Sequence, residues 1–186
     1  MILMNKSRVN RSKRFIIPAI FVVICVALSS CKIYSFKDVS IPAEVKSIHI
    51  AYLENRARLV NPQLAPQLND KLRQKLTQQA SKLSQIQTSD ANYDVSGWVS
   101  DYSYSTSGIS NQQASSNRLS VTVHLVFKNQ LDPTGKKVAP ADFEADVTRN
   151  FDFAATTSIT DAEAQLLPTI VSNLTDEIFN KLFSNW

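Results

Sequence analysis

The chain has 186 residues, with 20 Lys and Arg against 16 Asp and Glu, a formal net charge of +4, and 44% hydrophobic residues. That is enough chain for one domain around a single core. Gly97, Gly108 and Gly135 stand isolated, so neither a phosphate loop nor a dinucleotide fingerprint can be written, and His49 and His124 lack a cysteine or second histidine at ligand spacing.

Lys6, Arg8, Arg11, Lys13 and Arg14 form an acid-free basic stretch, followed by the 14-residue apolar run Phe15 to Leu28. That run contains Pro18 and is short for crossing a bilayer, but it has the length of a signal-peptide core. Leu28-Ser29-Ser30-Cys31 closes it. The arrangement resembles a bacterial lipoprotein signal peptide with its lipobox. It predicts a signal peptide at 1–30, a lipidated tether at 31–44 and a single domain at 45–186, with Cys31 carrying the lipid. The alternative is a short anchor that stays attached. One acyl chain binds membrane only marginally, at about 0.8 kcal/mol per buried methylene. The several chains, palmitate among them, that such a cysteine normally carries make the tether effectively permanent. Lys32 follows, with no acidic residue in the next few positions, a pattern that predicts a lipid-anchored protein facing the periplasm from the outer membrane.

Loss of the first 30 residues would remove five of the 20 basic residues and none of the 16 acidic ones, leaving a formal charge of −1. The pI of about 9.1 then describes mostly the leader, and overall charge gives no reason to expect nucleic-acid binding. Cys25 would leave with the leader and Cys31 would be acylated, so neither a disulfide nor a thiolate zinc site is expected.

Val45 to Leu53 reads as a strand, with Ile48, Ile50 and Tyr52 on one side and Ser47, His49 and Ala51 on the other. A turn-like stretch, Glu54 to Pro62, leads to a helix that Asn61 can cap and Pro62 can open. Leu64, Leu68, Leu72 and Leu76, extended by Ala80 and Leu83, make its apolar stripe, opposite Lys71, Arg73, Gln74, Lys75, Gln78 and Lys82. Asn92 to Tyr104 is a second strand, with Gly97 as a candidate bulge. The polar run Ser105 to Ser116 predicts a mobile loop, because little in it offsets the entropy of ordering.

Arg118 to Phe127 is the clearest interior strand. Leu119, Val121, Val123, Leu125 and Phe127 face the core, and Ser120, Thr122 and His124 face away. Asp132-Pro133-Thr134-Gly135 is a turn. Phe143, Ala145, Val147, Phe151 and Phe153 then alternate with polar residues, as expected of a strand with one wet face, and Arg149 breaks the apolar register near a sheet edge. Thr160-Asp161-Ala162-Glu163 has capping-box spacing and opens a second helix with Leu167, Ile170, Val171, Leu174, Ile178 and Leu182 buried. Pro168 either kinks that helix or marks its start. The expected fold class is α+β, a two-layer sandwich. Two helices cover one face of a four-stranded mixed or antiparallel sheet, in the order strand-helix-strand-strand-strand-helix.

No Gly-x-Ser-x-Gly elbow is present, and both histidines read as strand residues at a sheet face, so no enzyme activity, metal or cofactor is expected. Asp142, Glu144, Asp146 and Asp152 line one strand face, where they solvate and protect a sheet face or edge; calcium binding or acid–base chemistry is the alternative. Charge is uneven along the chain. Glu54 to Lys82 holds six basic and two acidic residues, and Leu131 to Trp186 four basic and nine acidic. That asymmetry could steer an anionic ligand, or be no more than a solvated helix face.

Four segments then stand together: Cys31-Lys32-Ile33-Tyr34-Ser35-Phe36; Glu54-Asn55-Arg56-Ala57-Arg58-Leu59-Val60-Asn61-Pro62; Asn117-Arg118-Leu119-Ser120-Val121-Thr122-Val123; and Ile178-Phe179-Asn180-Lys181-Leu182-Phe183-Ser184-Asn185-Trp186. In order and spacing this resembles the Bacteroidota branch of the LptE-like lipopolysaccharide-assembly lipoproteins. Lys32, where glycine would be expected, and the longer Lys136-Lys137 loop depart from the pattern. The resemblance implies helices on a four-stranded sheet and a non-enzymatic role. The protein would plug a large LptD-type outer-membrane β-barrel in a one-to-one complex, assist its assembly, and help deliver lipopolysaccharide to the outer leaflet. No lipopolysaccharide contact transfers by motif, so Arg56, Arg58, Lys71, Arg73 and Lys75 are candidates through charge alone. The rivals are a free periplasmic lipid- or protein-binding chaperone or adaptor, and an auxiliary lipoprotein of a different transport machine. A lipid-anchored hydrolase would need a nucleophile and base that the chain does not offer.

Overall fold

Three long strands carry the architecture, and each is apolar on one side only. The computed structural model describes residues 41–110, 113–131 and 141–183. The proposed leader, Cys31, the turn at Asp132 to Gly135, the Lys136-Lys137 loop and the ending Ser184 to Trp186 lie outside the described residues. In chain order the elements are β1 (Ser47–Ile50), β2 (Glu54–Asn55), α1 (Leu64–Gln79), β3 (Ser84–Ile86), β4 (Tyr93–Ser110), β5 (Gln113–Asn129), β6 (Phe143–Ala154) and α2 (Ile159–Phe183). The sheet runs β3-β1-β4-β5-β6, with β2 also paired to β4. β1 is parallel to both its neighbours, β2 is parallel to β4, and β4-β5-β6 is an antiparallel meander.

The α+β class stands, with both helices on an open sheet. The strand count does not: six strands are present among the described residues, not four, and the order is strand-strand-helix-strand-strand-strand-strand-helix. The two additions, β2 and β3, are two and three residues long. No alternation can declare itself over such a length. The polar run Ser105 to Ser116 is a correction of a different kind. Its described residues, 105–110 and 113–116, are the far end of the β4–β5 hairpin, paired as Ser105↔Arg118, Thr106↔Asn117 and Gly108↔Ser116; residues 111 and 112 lie outside the described residues. Backbone ladder bonds hold it there, and a ladder makes no demand for apolar side chains.

β1 and β2 form one interrupted strand along β4. Ile50 and Glu54 are four positions apart, while their partners Val95 and Trp98 are three apart. The extra residue resets the alternation, so Tyr52, expected inward with Ile48 and Ile50, is 51% exposed and Leu53 is buried instead. Gly97 is not a bulge. It pairs in register with Leu125, and the irregularities fall further on, between Val99 and Asp101, Thr106 and Gly108, and Gly108 and Ile109. A Cβ on Gly97 would sit 2.1 Å from the His124 carbonyl oxygen, so the close approach of the two backbones excludes a side chain there.

Both helix starts shift slightly. Asn61 precedes α1: its side-chain oxygen accepts the Gln63 N–H at 3.0 Å and its carbonyl accepts the Leu64 N–H at 3.2 Å, so Pro62 lies in a turn outside the helix. Leu64, Leu68, Leu72 and Leu76 are buried as the four-residue spacing predicts; Ala80 is the C-cap and Leu83 lies beyond it, yet both are buried. α2 begins at Ile159, so its box is Ser158 to Asp161 and not Thr160 to Glu163. Ser158 Oγ accepts the Asp161 N–H at 3.1 Å and donates to the Asp161 carboxylate at 2.6 Å. Pro168 lies inside α2 and does not start it. The inward residues of β4, β5 and β6, including Val95, Val121, Val123, Leu125 and Val147, form one cluster with the stripes of both helices.

Asn69 is buried on α1 and answers the break between β1 and β2. Its side chain accepts the Leu53 N–H at 2.9 Å and donates to the Leu53 carbonyl at 3.1 Å and the Ala65 carbonyl at 2.7 Å. Both backbone groups that the sheet leaves unmet at Leu53 are thereby satisfied.

Tyr93 is buried edge-on against Phe127, with ring centroids 4.9 Å apart, and its hydroxyl has no hydrogen-bond partner among the described residues. Burial pushes its pKa up to about 12. The folded state therefore keeps a proton that the unfolded chain releases near pH 10, so this contribution is intact below pH 10 and is lost as pH rises towards 12. Tyr93→Phe removes an unmet hydroxyl and is expected to be neutral or stabilising by up to about 1 kcal/mol at pH 7. Urea unfolding at pH 7 and above pH 10 checks both points. A loss greater than about 1 kcal/mol at pH 7 would mean that the hydroxyl has a partner after all.

Candidate interface on the helix-free sheet face

With both helices on one side, the outward side chains of the sheet have only each other and water. The strand register decides which of them meet. From β5 to β6 four successive outward pairs join directly. Arg118 donates through Nε and Nη2 to the two Asp152 oxygens at 2.8 and 3.0 Å. Ser120 donates to Asn150 at 2.8 Å, the Thr122 and Thr148 hydroxyls are 2.9 Å apart, and His124 Nδ1 lies 2.8 Å from Asp146. Every second residue on each strand takes part, as pleating requires. The Arg118 guanidinium holds the Asp152 carboxyl below the usual carboxylate range, and Asp152 in turn raises Arg118.

The ladder continues across the sheet. Trp98 on β4 pairs with His124, with ring centroids 4.5 Å apart, and the Arg56 guanidinium lies over the indole at 5.1 Å. Arg56 also reaches Glu54 at 3.1 Å. On β1 and β4, His49 Nδ1 lies 2.6 Å from Asp94. The acidic strand therefore has an internal use: Asp146 and Asp152 face cationic or imidazole partners on β5, and Asp142 accepts the Asn129 N–H at 2.7 Å.

The five charge-selected candidates do not share one surface. Arg56 sits on the helix-free face against Trp98. Lys75 is in the helical layer, 2.7 Å from Asp176 of α2 and 5.2 Å from the Phe179 ring centroid, and its side chain is only 18% exposed. Lys71 and Arg73 are on the exposed side of α1, Lys71 at the rim of a groove with Gln67, Asp70, Gln74, Pro168, Val171 and Ser172. Arg58 is exposed just after β2. Cys31 lies outside the described residues. Arg149 joins Glu177 of α2, which closes one side of a polar groove between β6 and α2 lined by Thr148, Asn150, Asn173 and Asn180.

Sequence reasoning missed Trp98, the Arg118–Asp152 fork and the His49–Asp94 pair as parts of one surface. The period-two pattern set His49 apart from the inward residues of its strand but gave Trp98 no face, and pairing these residues needed the strand register. It also missed the clamp on the far side, where the Tyr102 and Tyr104 hydroxyls donate to one Glu163 oxygen at 2.9 and 2.6 Å. Burial and the shared carboxylate raise both tyrosine pKa values.

Residues 45–182 match the family model described as LptE, lipopolysaccharide-assembly. No curated protein matches the chain. Among solved structures, the chain is similar to a minor lipoprotein from Acinetobacter baumannii at 16% identity and a TM-score of 0.48, covering 75% of this chain and 94% of that one. It is also similar to the rare lipoprotein B from Shewanella oneidensis at 12% identity and a TM-score of 0.45, covering 72% and 92%.

The positions of the lysines and arginines on α1 separate a structural cation from free ones. Lys75→Ala removes both the Asp176 contact and the packing over Phe179, and is expected to cost about 1–2 kcal/mol in urea unfolding. Lys71→Ala and Arg73→Ala are expected to stay within about 0.5 kcal/mol of the wild type. Equal effects at all three positions would show that Lys75 does not join the helices.

Proposed function

Because the chain belongs to the LptE family of lipopolysaccharide-assembly proteins, we propose that it is the lipoprotein partner of a large LptD-type β-barrel in the outer membrane. In this reading Cys31 carries the lipid anchor, and the domain sits in the barrel lumen as a plug and assembly partner. It aids lipopolysaccharide delivery to the outer leaflet without catalysing a reaction.

The observation that supports this most is the self-paired polar face of the sheet. A large barrel has a polar, watered interior. A face carrying Arg118–Asp152, Ser120–Asn150, Thr122–Thr148 and His124–Asp146 brings its hydrogen-bond partners with it. It can be enclosed by such a wall with many of its polar groups already hydrogen-bonded. Arg58, Lys71 and Arg73 are the proposed contacts for lipid A phosphates, since no ion pair among the described residues engages them. Arg56 can join them from its place over Trp98, whereas Lys75 is held by Asp176.

The test is a pull-down from detergent-solubilised outer membranes of the native host, using this chain with a C-terminal tag and Cys31 intact. A single large β-barrel protein recovered one-to-one is the expected result. Recovery of the chain alone, or with scattered soluble clients, would overturn the plug reading in favour of a free chaperone. In the same cells Cys31→Ala is expected to move the domain from the membrane to the soluble fraction with its melting transition unchanged. Aggregation of that variant would show that tether and domain are not separable.

A further inference from the structure

β6 is the last strand of the sheet, and among the described residues no strand lies along its outer side. Between that edge and α2 lies a groove of about 530 Å³, a size at which small ligands are held. Thr148, Arg149 and Asn150 line it from β6. Consecutive strand residues point to opposite sides of a sheet, so only an edge strand can present all three to one groove. Asn173, Asp176, Glu177 and Asn180 line it from α2, at the spacing that gathers residues on one helix face.

The lining excludes several kinds of ligand. None of these side chains is apolar, so a hydrocarbon would strip water from amides and carboxylates and offer no hydrogen bond in return. Its charges are already met: Arg149 donates to Glu177, and Asp176 accepts from Lys75 at 2.7 Å. No cation in the groove is left for a phosphate. An added peptide strand is discouraged, because Glu144, Arg149 and Asp152 stud β6. What remains is amide chemistry. The side chains of Asn173 and Asn180 have no hydrogen-bond partner among the described residues, and Asn150 accepts from Ser120 through its oxygen and keeps its NH2. A free amide offers an acceptor and two donors, which matches hydroxyl groups that both donate and accept. Asn173 and Asn180 are about 10 Å apart along the helix axis, room for more than one sugar ring.

We infer that this groove binds a neutral saccharide chain, held by the Asn173 and Asn180 amides and the Asn150 NH2. The saccharide chemistry rests on the lining alone. Lipopolysaccharide as the source of the glycan rests on the lipopolysaccharide-assembly role proposed for the chain, and the glycan strands of the cell wall are a second source of the same chemistry.

The test titrates the full chain in detergent with two glycans separately. One is the lipid-free, dephosphorylated core oligosaccharide of the host's lipopolysaccharide, and the other is glycan strands from its cell wall. The side-chain amide signals of Asn173 and Asn180 are followed by NMR. The core oligosaccharide is expected to bind and to shift both signals. Asn173→Ala and Asn180→Ala, each at an exposed helix position, should weaken binding about fivefold or more with the melting transition unchanged. Gln165→Ala, exposed on α2 outside the groove, should leave binding as it is. Binding of the wall glycan alone would keep the groove as a saccharide site and make the wall its partner. Failure of both glycans to bind, or binding that both asparagine variants leave intact, overturns the inference. The pull-down fails or succeeds separately: a barrel recovered by a chain that binds no glycan leaves the plug reading without this site, and glycan binding with no barrel leaves the site without the plug reading.

Discussion

Two helices can cover only one face of this sheet, and much of the structure follows from that limit. The long β4–β5–β6 meander alternates, apart from irregularities in β4, so the strands send about one side chain in two to the helices and the others to water. The inward set is apolar and closes into a single cluster with the leucine stripe of α1 and the Leu167 to Leu182 stripe of α2. The outward set has no cover and must satisfy itself. It does so by direct cross-strand pairs in four consecutive rows between β5 and β6, each contributing a few tenths to about 1 kcal/mol.

Polar groups also register the helical layer against the sheet. Apolar contacts are non-directional and would let a helix slide along the strands. Asn69 prevents this for α1 by occupying both backbone groups of Leu53, where β1 gives way to β2. Tyr102 and Tyr104 do the same for the first turns of α2 by donating to Glu163, and Lys75 ties the two helices through Asp176. The extra residue between β1 and β2 is thus part of the docking of α1: it turns Leu53 inward and leaves its N–H and C=O for Asn69. Hydrogen bonds to a charged group such as Glu163 contribute more than neutral ones, about 1.5–3 kcal/mol before any cost of burial.

The inward residues were legible because repetition carries them. Leu64, Leu68, Leu72 and Leu76 repeat every four residues, and Leu119 to Phe127 every two, over spans long enough to exclude the other period. What escaped was short, or polar, or dependent on register. β2 and β3 hold too few residues for any period. The end of the β4–β5 hairpin is stabilised by its ladder, and ladder bonds leave no trace in side-chain hydropathy. Thr160 and Ser158 both offer a hydroxyl three residues before an acidic group, and only backbone geometry chose Ser158. Tyr52 was misplaced by one inserted residue, the smallest error that reverses a face.

Charge shows most clearly why position along the chain does not locate a surface. The excess of six basic over two acidic residues between Glu54 and Lys82 suggested one cationic site. Folding divides those cations: Arg56 goes to the helix-free face over Trp98, Lys75 goes between the helices, and Lys71 and Arg73 go to the outside of α1. The acidic surplus after Leu131 is divided too, with Asp146 and Asp152 matched on β5 and Asp176 and Glu177 matched by Lys75 and Arg149. A sum along the chain therefore counts pairs as if they were free ions. The helix-free face is left polar and largely self-paired, and desolvating paired groups costs less than desolvating free ones. That makes it suited to enclosure by another polar surface, whereas Arg58, Lys71 and Arg73 lie outside that ladder, engaged by no ion pair among the described residues, and can meet an anion.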